Sequence, residues 1–191
     1  MLTATYSLVT IAAEQDKANS LLSSLQQYIQ NAWQGLQNVD LAFLDSAFNQ
    51  LLRFDDYCRH RKVERYLIPA VRCATREADA MIAELETLSA HGAEMLHEIR
   101  RYMTSALEVS SVLSGEICHS MEAYCASLSA RLQKEEQLLF PLVRHLLSVE
   151  EWFSLAEKFL AEDAPLAGRT RPSAMASYTS AIAERSDAEI N

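Results

Sequence analysis

Arg131-Leu132-Gln133-Lys134-Glu135-Glu136-Gln137-Leu138-Leu139-Phe140-Pro141 repeats a pattern met earlier, in Arg59-His60-Arg61-Lys62-Val63-Glu64-Arg65-Tyr66-Leu67-Ile68-Pro69. At a constant offset of 72 residues, Arg, Lys, Glu, Leu and Pro coincide at five positions. Two helix pairs related by a pseudo-twofold axis produce such an echo, and helical bundles often build sites from facing helices in this way.

Both copies sit inside longer helical stripes. Leu8, Ile11, Gln15, Ala18, Leu22, Leu25 and Ile29 recur at spacings of three and four, one face of a helix from about Tyr6 to Gln34. Gly35 suits its end, and Asp40 suits the cap of a second helix carrying Leu44, Phe48, Leu51 and Leu52. That helix runs to about Cys73 with a bend at Pro69. Thr75 is the next cap candidate, ahead of a third stripe, Ile82, Leu85, Ser89, Gly92, Leu96, Ile99 and Met103. The run from Ser110 to Gly115 breaks the pattern, and a fourth helix starts near Glu116 with Ile117, Tyr124, Leu128, Arg131, Glu135 and Leu138 on one face. Ser148 with Glu151 three residues on is a capping box for a short fifth helix, Val149 to Leu160. A short helix is expected between Ser173 and Glu184.

The whole composition agrees. Gly and Pro total 8 of 191 residues, so turns are few and elements long. The expected fold is all-α: an antiparallel four-helix bundle over residues 1–168, with a short fifth helix and a C-terminal tail from 169 to 191. A net charge of −9 argues against nucleic-acid partners, which are held by Lys and Arg. No apolar run is long enough for a membrane helix, and the first 13 residues read poorly as a signal peptide. Cys58, Cys73, Cys118 and Cys125 form no CxxC pair and read as reduced thiols of a cytoplasmic protein. Cys118, near a helix start, is the candidate for a thiol sensor.

From Lys134 to Pro141 the chain resembles the hemerythrin family, specifically bacterial proteins with the HHE cation-binding domain. Leu147 to Trp152, Ala164 to Gly168, Glu14-Gln15, Arg59 to Pro69 and Gly92 to Leu96 follow in family order, so the resemblance covers roughly Glu14 to Gly168. It implies a four-helix bundle whose inward His and carboxylate side chains hold two iron atoms. The family motif places a His ten residues and a Glu six residues before the Pro. Here those positions hold Arg131 and Glu135 before Pro141, and Arg59 and Val63 before Pro69. The first-helix His falls on Gln15, or Asp16 if the register shifts by one; the third-helix His falls on Ser89. The resemblance thus implies the bundle, while most of its ligands are replaced.

A buried polar cluster of Gln15, Arg59, Ser89, Arg131 and Glu135 is therefore expected in place of the metal site, with Glu135 partnering Arg131 and Asp55 or a neighbouring Asp partnering Arg59. The functional expectation is a non-enzymatic, cofactor-free binding or regulatory module, which leaves open a homodimer or another protein partner. The alternative is an iron-binding protein, sensing or storing oxygen or iron through a shifted set, His60, Glu64 and Glu135.

Overall fold

The computed structural model describes residues 2–35, 41–105 and 111–164. The chain divides into two units, Met1–Phe159 and Leu160–Asn191. In the first unit, α1 (Leu2–Gly35) and α2 (Leu41–Arg59) are followed by a wide π-type turn, Val63–Leu67, and by α3 (Ile68–Ala74). Then come α4 (Asp79–Ser105), α5 (Ser111–Lys134), a second π-type turn (Glu135–Leu139), α6 (Phe140–Leu146) and α7 (Val149–Asp163). Of the second unit only residues 160–164 are described, so the expected helix from Ser173 to Glu184 lies outside the described residues. Among the described residues no helix is long and apolar enough to cross a membrane.

Cross-helix contacts fix the topology. Tyr28 meets Ser46 while Gln15 meets Arg61, so α1 and α2 run antiparallel. Glu84 meets Lys134 and Gly92 lies against Tyr124, so α4 and α5 do the same. Asp55 meets Tyr124 and Glu64 meets Arg131, which sets α2 and α5 parallel. The result is an up-down-up-down bundle of four rods, the second and fourth of them α2–α3 and α5–α6. Its core is apolar at both ends. Leu22, Leu25, Ile29, Leu44, Leu51 and Ile99 are buried towards one end. Ile11, Leu67, Ile82, Leu139, Trp152 and Phe159 belong to a cluster at the other.

The repeated segment has a physical cause visible in both copies. Pro69 and Pro141 have no N–H, and their rings crowd the carbonyl four residues back. The helix widens ahead of each: Ile68 N–H bonds to the Val63 carbonyl and Phe140 N–H to the Glu135 carbonyl, each five residues back. Such widened turns are often found at functional sites.

The two copies are not identical. In α2 and just beyond it the buried seam is Leu44, Ala47, Leu51, Phe54, Cys58 and Arg61; in α5 it is Ser114, Ile117, Met121, Tyr124, Leu128 and Arg131. These match at an offset of 70, whereas the prolines match at 72. Two residues are missing from the first copy between the seam and the π-type turn. The chain absorbs the deficit by tightening: Arg61 N–H bonds to the Cys58 carbonyl and Glu64 N–H to the Arg61 carbonyl, each three residues back.

Two boundaries differ from expectation. α5 already includes Ser111 to Gly115, because Ser and a single Gly are tolerated in a helix that packs on both α1 and α4. Thr75 is extended and ends α3, its Oγ1 accepting from Glu77 N–H, and α4 opens only at Asp79. The capping box forms in full: Glu151 N–H donates to Ser148 Oγ at 3.3 Å and Ser148 N–H to Glu151 Oε2 at 2.7 Å.

Candidate functional site

Between the two apolar ends lies a charged layer. α1 presents Gln15, the end of the α2 seam presents Arg61, and α5 with its π-type turn presents Arg131 and Glu135. All four are buried, Glu135 completely. Arg61 Nη1 stands 2.9 Å from Glu135 Oε2, and Arg131 Nε stands 3.4 Å from Glu135 Oε1. Arg131 also donates through Nη2 to Glu64, which reaches in from the rim of the first π-type turn. Gln15 ties the layer to the backbone: its Oε1 accepts from Arg61 Nη2 and its Nε2 donates to the Leu132 carbonyl at 2.7 Å. The Lys62 N–H, at the break, donates to Glu14 Oε2 at 2.7 Å. Two guanidinium groups are thus matched by two carboxylates, and the seam places the two arginines at equivalent positions of the repeat.

Charge contributes more than hydrogen bonding to holding Glu135. Neither of its oxygens accepts a well-aligned hydrogen bond, and Nε of both arginines is also without one. Burial pushes the Glu135 carboxyl above its ordinary range, while Arg61 and Arg131 pull it back. Burial pulls Arg61 down, but Glu135, Cys58 and Glu14 together more than offset this and leave the guanidinium above its usual value. Beside them, burial pushes the Cys58 thiol up to about 12, and burial with the Glu14 charge pushes Tyr57 to about 12. Tyr124, raised by burial and by Asp55, donates its hydroxyl to Asp55 Oδ1 at 3.0 Å.

The layer is not the one expected from the 72-residue echo. Gln15, Arg131 and Glu135 come together, but Arg59 does not join them. Its side chain is exposed and pairs with Asp55 at 2.7 Å on the surface, because it follows the seam residue Cys58 by one step and faces outward. Arg61 takes its place. Ser89 is only half-buried, and its hydroxyl returns to the Leu85 carbonyl of its own helix at 3.1 Å, the usual alternative for a helical serine. The alternative metal set does not assemble either. His60 is exposed, with Nδ1 2.7 Å from the Asp56 carbonyl, and Glu64 and Glu135 both face arginines. Cys118 is buried with its thiol raised to about 11, which makes it a poor sensor; the exposed free thiol is Cys73.

Sequence reasoning missed Arg61 and the role of Glu64 as partner of Arg131. A signal for Arg61 was present: the alternating spacing of three and four from Leu44 through Ala47, Leu51, Phe54 and Cys58 lands on it.

A centre of two iron atoms needs several neutral imidazoles and free carboxylates. One amide, two guanidinium groups and two carboxylates already engaged by them do not fit such a centre. Among the described residues no group of three or more His, Cys, Asp or Glu is placed to hold a metal ion. Comparisons with curated proteins and with solved structures give no match. The model of the hemerythrin HHE cation-binding domain matches residues 8–143, most of the bundle, and the chain belongs to that family.

Proposed function

We propose that this hemerythrin-like bundle works without metal, its charged layer replacing the di-iron centre, and that it serves as a binding or regulatory module rather than an enzyme or an oxygen carrier. One observation carries the reading: the Arg61 and Arg131 guanidinium groups flank the buried Glu135 carboxylate at 2.9 and 3.4 Å. A metal ion entering there meets two fixed positive charges, and its one buried carboxylate ligand is already neutralised. On this reading the chain needs no cofactor. The net charge of −9 favours a protein or small-molecule partner over nucleic acid, and the four unbridged cysteines suit a cytoplasmic setting. The test is iron content and near-ultraviolet absorption of protein purified without chelator from iron-rich medium. The proposal expects neither iron nor an iron–ligand absorption band; stoichiometric iron overturns it.

A further inference from the structure

We propose that the outer face of α7 is a docking surface for a partner helix that carries an apolar stripe flanked by Lys or Arg. This names a partner for the binding-module reading and rests on it. Peptide binding and iron content are measured separately, so either can fail without the other.

α7 is apolar on two sides. Trp152, Leu155, Ala156 and Phe159 form its buried side, and three of them belong to the core cluster at that end of the bundle. Val149, Phe153 and Leu160 lie on the other side and are 63%, 51% and 55% exposed. At about 100° per residue they fall within about 40° of one another, one line along the helix. Among the described residues six large apolar side chains are exposed, and three of them share this line. Single exposed apolar residues are ordinary on a protein surface, whereas a contiguous set rimmed by charge marks an interaction site.

The rim selects the partner. Glu150 and Glu157 lie about 40–60° to one side of Phe153 and are seven residues, or about two turns, apart. Neither carboxylate has an ion-pair or hydrogen-bond partner among the described residues. Both are open to cations that an incoming helix carries every seventh residue beside its apolar stripe. The one cation of α7, Lys158, sits about 140° round the helix from Phe153 and does not reach this face. A second copy of the chain therefore brings the same two carboxylates and no α7 cation, and like charges oppose a dimer formed through this face. A basic amphipathic helix matches both parts of the surface: the apolar line supplies affinity and the acidic rim supplies choice.

The experiment titrates the full chain into two alanine-based helical peptides, each with one leucine stripe, flanked every seventh residue by lysine in one and by glutamate in the other. Fluorescence anisotropy gives the affinity, and backbone-amide NMR shifts give the place. The lysine peptide should bind roughly tenfold more tightly than the glutamate peptide, because each of two rim pairs changes affinity a few-fold and the two peptides act in opposite senses. Its shifts should centre on Val149, Phe153 and Leu160. Glu150→Lys combined with Glu157→Lys should exchange the order of the two peptides. Phe153→Ser, at an exposed position, should weaken the lysine peptide at least about fivefold with an unchanged melting curve. No binding of either peptide, equal affinity for both, an order unchanged by the charge reversal, or shifts centred away from α7 would each overturn the proposal. So would a wild-type dimer that Phe153→Ser dissociates in sedimentation equilibrium, since a second copy would then be the occupant.

Discussion

Glu135→Gln keeps the shape of the side chain and removes its charge, so it isolates what the carboxylate does in the charged layer. Arg131 retains Glu64 after the change, but Arg61, with a side chain 1% exposed, is left with the Gln15 amide oxygen and a second guanidinium nearby. Breaking a buried pair by removing one partner costs about 3–5 kcal/mol, because the remaining charge stays desolvated. For a chain of this length each kcal/mol lowers the melting temperature by about 2–4 °C, so a fall of at least ~6 °C is expected. With a urea m-value of about 2 kcal/mol/M, the midpoint should fall by roughly 1.5–2.5 M at constant m. Arg61→Leu combined with Glu135→Leu should recover much of the loss, since matched apolar residues escape the desolvation cost. A double-mutant cycle should give a coupling above ~1 kcal/mol for Arg61 with Glu135, and within about 0.5 for the distant Arg59 with Glu135. If Glu135→Gln shifts the midpoint by less than the equivalent of about 1 kcal/mol, the carboxylate is not the counter-charge of Arg61 and the reasoning fails.

Four further outcomes are expected. The Cys58, Cys118 and Cys125 thiols, held up at about 12, 11 and 12 by burial, should resist alkylation at neutral pH while Cys73 reacts. Their folded values lie above the unfolded value of 9.0, so their contribution to stability is intact below that pH and is lost as pH rises towards 11 and 12. Denaturation midpoints should therefore drop steeply above pH ~9, by up to about 1.4 kcal/mol per pH unit for each thiol; flat stability to pH ~11 would contradict this. Gly92→Ala should stabilise by about 0.5–1 kcal/mol in thermal melts, because the helix gains an alanine whose Cβ is tolerated. That Cβ would meet the Tyr124 ring at 3.4 Å, an ordinary contact, and a clear loss of stability would show the space is tighter. Ser148→Ala removes the α7 cap and should cost about 1 kcal/mol in the same assay, with no change counting against the cap.

The helical rods were readable because apolar spacing and the scarcity of Gly and Pro both follow from burial on one face. The Ser148–Glu151 capping box was readable because two local hydrogen bonds define it. The centre of the site was half readable. Gln15, Arg131 and Glu135 lie on unbroken stripes, and a straight helix carries a stripe inward predictably. Arg61 lies where the helix tightens to make good two missing residues, and alignment on Pro69 and Pro141 steps across that deficit. An echo anchored on the prolines therefore selected Arg59, whereas the seam anchored on Leu44 and Phe54 selects Arg61. Glu64 was hidden for a related reason: the break re-aims it from the surface of a regular helix towards Arg131.

With guanidinium groups in the place of the family's metal ions, the charged layer should refuse iron. Anaerobic incubation of the purified protein with excess ferrous iron, followed by desalting and elemental analysis, tests it most directly. Iron should stay at the level of the buffer blank, because Arg61 and Arg131 neutralise Glu135 and repel the cation. Retention of stoichiometric iron by the folded protein would contradict it.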